Sequence, residues 1–202
     1  MAVNDPSPPR RTNDPQGLRG RVLDAASELF EARGYHGATM HDVAAAAGVT
    51  GGAMHHHFAS KKALGIAVIR ERVAPAVRKT WMEPVTNAAT ASEGVAAVFA
   101  DIASGLEAAG AVRGCPLNNL ALELSFGDRE FSIEIAEVFA EWRAAIAVKR
   151  RADLAAGKAQ VGAPEAFASF AVAAYSGAMT QAKAEQSAEP LRICAAELAR
   201  LA

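Results

Sequence analysis

Between Thr39 and Phe58 the sequence provides two helix starts and one glycine stop within twenty residues, and this spacing constrains the fold more than any other feature. Thr39 can cap one helix, and Asp42 three residues on imitates a capping box with a shorter carboxylate. Met40, Val43, Ala44 and Ala47 then recur at helical spacing as a buried stripe, and Gly48 ends it. Thr50 can cap a further short helix running to about His57. Two short helices joined by a tight glycine turn follow helix-turn-helix logic.

The flanking sequence supplies the rest of an all-α chain. Asp14-Pro15 reads as an N-cap with proline at the first helical position, and Leu18, Val22, Ala25, Leu29 and Phe30 give that helix its apolar face up to Gly34. Residues 1–13 hold Pro6, Pro8, Pro9, Arg10 and Arg11 with little apolar content, as in a flexible basic arm. Ser60 can cap a longer helix carrying Leu64, Val68 and Ile69, which Pro75 is expected to kink or interrupt. Beyond Asn87 the spacing predicts helices at roughly 91–109, 116–126, 128–156, 164–185 and 188–201. Valine and isoleucine never alternate over several residues, so no segment reads as a strand. The expected division is an arm at 1–13, a three-helix head at 14–60 and a helical domain at 61–202.

Composition narrows the setting. About half of the 202 residues are apolar, which suffices for a real core. There is no uninterrupted apolar stretch of roughly 20 residues to span a bilayer, and the N-terminus lacks the order of a signal peptide, so a cytoplasmic protein without a membrane partner is expected. Cys115 and Cys194 are too few for a disulfide scaffold or a structural zinc site and read as reduced thiols. Residues 1–80 carry eleven basic and seven acidic side chains, whereas 81–202 carry ten and fifteen, an asymmetry that suggests a nucleic-acid-facing first part.

His55, His56 and His57 stand side by side. Consecutive helical residues lie about 100° apart around the axis, so three in a row cannot converge on one metal ion. Chelation from one helix needs partners at i and i+4, and here Ala59 follows His55 by four. No nucleophile with a recognisable setting lies nearby in sequence, so catalysis by this cluster is disfavoured. Neither a catalytic residue, nor a metal, nor a cofactor is expected. Recognition of a duplex remains: a helix in the major groove presents its first residues to base edges while the preceding helix crosses the backbone. Gly51 and Gly52 would permit close approach, and His55 and His56 would offer N–H donors.

Thr39, Val43-Ala44, Ala47-Gly48-Val49-Thr50, Gly52, His57-Phe58, Lys61 and Leu64 together resemble the motif of the TetR family of transcriptional regulators. With the first helix, the resemblance covers about residues 15–65. It implies that Thr39 meets a phosphate, that Thr50, Gly51, Gly52, His55 and His56 face the groove, that Lys61 meets the backbone and that Phe58 lies in the core. His57 is open between a phosphate contact and packing. Two positions depart from the pattern: His55 stands where tyrosine is usual, and Gly51 where a larger or basic side chain is common.

For the second half the resemblance implies a small-molecule effector and a homodimer. The segment 164–185 is apolar nearly all round, with Phe167, Phe170, Ala171, Ala174, Ala178 and Ala182 opposite Ala168, Val172, Tyr175 and Met179. Such a helix should be covered on both sides, so 164–185 and 188–201 are expected to pair with their symmetry mates. Residues 113–125 resemble the Gly-Cys-Pro-Leu-x-Asn-Leu segment of one branch of the family. Trp81, Met82, Phe99, Cys115 and Leu117, with Leu120, Phe139, Trp142, Phe170 and Tyr175, are the candidate lining of an effector pocket. At helical spacing each is more often ordinary core, and Cys115, with Arg113 near, could be a redox sensor. The sequence thus reads as a non-enzymatic, ligand-responsive regulator, expected to repress from a palindromic operator on double-stranded DNA and to be released by a small apolar or aromatic effector. A helical enzyme or metal-binding protein using the histidine cluster, and an all-α interaction protein with no DNA role, are the alternatives.

Overall fold

Five helix starts among the described residues are fixed by side chains that accept a free backbone N–H. Thr39, Thr50, Ser60 and Thr90 each accept from the N–H three residues on, and Asp128 accepts from Glu130 and Phe131. The computed structural model describes residues 15–159 and 162–200, and every regular element among them is helical. The expected Asp14 cap and the basic arm lie outside the described residues.

The head consists of α1 (Pro15–Gly37), α2 (Met40–Ala46) and α3 (Gly51–His57). α1 breaks at Gly34, whose φ of 75° is a left-handed value that a side chain would strain. Val22, Leu23, Ala26 and Phe30 of α1 are buried with Val43 and Ala44 of α2, Met54 of α3, and Phe58.

Lys61 to Asn87 form one continuous rod. It comprises α4 (Lys61–Val68), a π-turn (Ile69–Val73), α5 (Ala74–Val77), a second π-turn (Arg78–Met82) and α6 (Glu83–Asn87). The helix expected to kink or be interrupted at Pro75 continues past it, and the distortion takes the form of a π-turn. Ala74 N–H reaches the Ile69 carbonyl and Glu83 N–H reaches that of Arg78, each one residue before a proline. Proline lacks an N–H and its ring crowds the carbonyl four residues back, and a turn widened to i−5 relieves both. The Glu71 carbonyl, four before Pro75, accepts instead from the Arg72 guanidinium at 2.9 Å.

The rod packs on α1 and on α9 (Arg129–Ala155). α7 (Ala91–Ala109) packs against α11 (Glu189–Ala199) and α6, α9 against α10 (Pro164–Glu185), and α8 (Pro116–Leu124) against α1. Buried Asp153 of α9 accepts the Ala91 N–H at 2.6 Å and is neutralised by Lys149 at 2.8 Å, so a carboxylate from α9 anchors the positive end of α7.

Head and body meet around Tyr35. Its ring lies 5.2 Å from those of Phe30 and Phe131, with the Lys61 ammonium 4.4 Å above it. Gly65 makes this possible: a Cβ there would stand 2.8 Å from Tyr35 Cε2 and 2.9 Å from Phe131 Cζ. Gly65→Ala is expected to destabilise the fold by about 1–3 kcal/mol through overpacking, visible as a lower thermal midpoint; an unchanged midpoint would contradict this close approach.

Candidate nucleic-acid interface and an aromatic cavity

In the head, Thr39, Thr50, Gly51, Gly52, His55 and His56 are exposed together, while His57 and Lys61 are half-buried. A Cβ on Gly51 or Gly52 would meet no heavy atom within 4 Å, so the fold itself does not require glycine at either place. Open space at the first turn of α3 is what a backbone needs to approach another polymer closely. Successive histidines point apart, the His56 and His57 rings meeting only edge to face at 5.4 Å, and no group of three possible ligands gathers among the described residues.

The Thr39 and Lys61 side chains already have partners within the protein. The Thr39 hydroxyl, assigned to a phosphate by the resemblance, donates to Asp42 at 2.6 Å while accepting the Asp42 N–H at 3.1 Å. These hydrogen bonds from Thr39 hold the Asp42 carboxyl below the usual carboxylate range. Lys61 spans the junction, reaching the His36 carbonyl at 3.4 Å and the Tyr35 ring, and its burial lowers the ammonium pKa.

Among the described residues, five basic side chains of the first 80 are held in ion pairs away from this face. Arg19 pairs with Glu71, Arg72 with Asp24, Arg70 with Glu134, Arg78 with Glu141, and Lys62 with Asp128 and Glu130. Residues 39–60 contain no lysine or arginine, but they hold four of the five histidines of the chain. The charge asymmetry is largely consumed in pairs that tie the rod to α1 and α9, and the reading face carries imidazoles instead.

In the body, a cavity of about 220 Å³ lies where α1, the rod, α8, α9 and α10 converge. Trp81, Cys115, Leu117, Trp142 and Tyr175, five of the ten candidates named from sequence, line it. Met82, Phe99 and Leu120 are buried core, and Phe139 stacks on Trp142 at 6.2 Å, so none of these four is in the wall. Phe170 is a correction: it is 53% exposed on the outer face of α10, because it is Ala171, Val172 and Tyr175 that turn inward. Sequence reasoning missed Ser27, Glu31, Arg72, Val73, Ala76, Val77, Thr80 and Pro116, which also line the space. Five of these lie on or between the two π-turns of the rod, and proline spacing was the one available signal for that distortion. Burial pushes the Cys115 thiol up, so it stays protonated at neutral pH and serves as cavity wall, not as a reactive thiolate. Burial, then the neighbouring Cys115, raises Tyr175 well above the ordinary tyrosine value.

α8 connects the two sites. Its first turn, Pro116 and Leu117, is cavity wall. Seven residues on from Pro116, about 10 Å along the helix, Glu123 accepts the Tyr35 N–H at 2.8 Å and the His36 N–H at 2.6 Å. These are amides set free where α1 breaks at Gly34, shortly before the chain turns into α2. Glu123→Ala is expected to destabilise the head by about 1–3 kcal/mol, the cost of leaving these donors without their charged acceptor. Hydrogen exchange would show faster exchange at Tyr35 and His36 with the core of α9 unaffected; unchanged rates would contradict the contact.

Comparison with known proteins agrees with both halves. Residues 22–68 match the bacterial regulatory proteins of the tetR family, and residues 91–197 match the LmrA/YxaF-like transcriptional regulator C-terminal domain. The HTH-type transcriptional repressor DhaR of Mycobacterium sp. (strain GP1) is 28% identical over 181 residues, 86% of this chain and 86% of its own length. A TetR transcriptional regulator from Chloroflexus aurantiacus superposes with a TM-score of 0.82 at 28% identity, covering 94% of this chain and 96% of that one. CifR, solved with a 26-bp operator duplex, superposes with a TM-score of 0.78 at 22% identity over 96% of this chain and 98% of its own. The relatives are regulators and not enzymes, and the chain belongs to the TetR family of DNA-binding transcriptional regulators.

Proposed function

We propose that this regulator is a homodimeric repressor that binds a palindromic operator through Thr39, Thr50, Gly51, Gly52, His55, His56 and their neighbours, and that a small apolar or aromatic effector releases it. The observation that carries the reading is α8, one short helix with a cavity wall at its start and a grip on the head near its end. An effector that fits the cavity only when α8 shifts would favour the head orientation with the poorer fit to DNA. The Gly114–Leu120 segment, which resembles that of one branch of the family, then carries the cavity wall into the first turns of α8. Regulation of this kind places the protein with its operator in the cytoplasm; no described helix is long and apolar enough to cross a membrane.

The dimer reading rests on the outer face of α10 and α11. Phe170 and Ile193 are 53% and 55% exposed, and Ala166, Ala173, Gly177 and Ala196 around them are small enough for close helix approach. Phe170→Asp combined with Ile193→Asp is expected to give a monomer of unchanged helicity by light scattering and circular dichroism; a persistent dimer would remove this face as the interface.

A duplex recovered by selection from genomic DNA tests the reading head. Affinity should fall with rising salt, and binding indifferent to salt would contradict phosphate-led recognition. Gly52→Ala should raise helix stability by up to about 1 kcal/mol while weakening operator binding about tenfold. His56→Ala should change operator preference and leave the dimer intact; equal binding to all operator variants by the parent chain would remove its assigned role.

A further inference from the structure

We propose that the cavity takes a neutral molecule of one or two rings that sets a carbonyl or ether oxygen against the indole N–H of Trp142; this rests on the effector-cavity reading above. Trp142 is fully buried and lines the cavity, yet its Nε1 has no hydrogen-bond partner among the described residues. Buried donors are nearly always satisfied. The contrast with the adjacent tryptophan is informative. Trp81 lies 4.8 Å from Trp142, centroid to centroid, and its ring meets that of Tyr175 at 4.6 Å, where the Tyr175 hydroxyl interacts with both Trp81 and Cys115. The Trp142 N–H is thus an indole donor without a protein acceptor; it is covered in this structure, and a ligand oxygen reaches it by displacing part of the wall.

The remaining walls define the rest of the molecule. Trp81, Trp142 and Tyr175 present three ring systems within 4.6–5.6 Å of one another, a surface suited to a flat apolar body. A volume of about 220 Å³ exceeds the roughly 150 Å³ that accepts benzene and falls below the range of about 300–1,000 Å³ for drug-sized ligands. At the more exposed end stands Glu31, with no basic side chain paired to it among the described residues. Arg72 nearby is committed to Asp24 and to the Gly20 and Glu71 carbonyls. A ligand carboxylate at that end would meet Glu31 unscreened, whereas a hydroxyl would donate to it. The ligand class is therefore an uncharged aromatic carbonyl compound or ether, with a hydroxyl allowed at the opposite end.

The chain contains two tryptophans, both in this cavity, so the indole region of a ¹⁵N–¹H spectrum of the full-length protein reports on it directly. Two isosteric probes, acetophenone and α-methylstyrene, differ by C=O against C=CH₂. Acetophenone is expected to bind about tenfold tighter and to move downfield the indole proton that is missing from Trp142→Phe. In Trp142→Phe, which keeps a ring and loses the donor, the two probes should bind alike. 4-Acetylbenzoate should bind at least about tenfold more weakly than 4-hydroxyacetophenone, with the gap closing in Glu31→Gln. Equal affinity of the isosteres for the parent chain, or a preference that survives in Trp142→Phe, would overturn the pairing of oxygen and indole while leaving an effector cavity in place. A gap that persists in Glu31→Gln would overturn the assignment of the mouth. Failure of every probe to perturb either indole would overturn the proposal and the effector-cavity reading together.

Discussion

Two hydrogen bonds, from the Tyr35 and His36 amides to one carboxylate, set how the head sits on the body. α1 ends at Gly34, and a helix end leaves backbone groups that must find partners elsewhere. A carboxylate is the strongest acceptor a side chain offers, worth about 1.5–3 kcal/mol per bond to such a group. Glu123 therefore fixes the turn into α2 to the end of α8. The Tyr35 ring adds shape to this fixation by inserting between α4 and α9 over the bare backbone of Gly65. The reading helices are thereby coupled to an element that begins 10 Å away at the wall of an aromatic cavity.

The cavity itself depends on the rod. Pro75 and Pro84 each follow a π-turn, and the stretch Arg72–Trp81 between and within these turns supplies much of the wall. A regular helix would carry the same side chains around a different arc. The ion pairs along the rod, Lys62 to α9 at one end and Arg78 to α9 farther on, are exposed enough that each contributes little to stability. Together with Arg19–Glu71 and Arg72–Asp24 they fix the rod against two helices at once. They also leave the reading face with imidazoles where the sequence asymmetry suggested fixed positive charge.

What could be read from the sequence follows from how local each interaction is. The caps at Thr39, Thr50 and Ser60, the stop at Gly34 and the helix-turn-helix spacing involve partners within a few residues, and these were legible. Trp81, Trp142 and Tyr175 were legible as a group because such large side chains in a helical protein have few places to go. Glu123 was not legible, since its partners lie 87 and 88 residues away and nothing local distinguishes it from a surface glutamate. Glu31 and Ser27 were missed for the same reason, standing on α1 among ordinary polar positions. Phe170 was misplaced because α10 is apolar nearly all round, so hydrophobicity alone does not say which face turns inward. Pro75 read as a break because the pattern of one strand of residues does not reveal a change from i−4 to i−5 bonding.

The coupling between cavity and head is tested most directly by a double-mutant cycle on operator affinity. Val77→Phe fills the cavity from the rod and stands in for an effector, while Glu123→Ala removes the grip on the head. Operator affinity measured by fluorescence anisotropy should fall about tenfold or more for Val77→Phe in the parent chain and change little when Glu123→Ala is already present. Equal losses in both backgrounds would contradict transmission through α8 and Glu123.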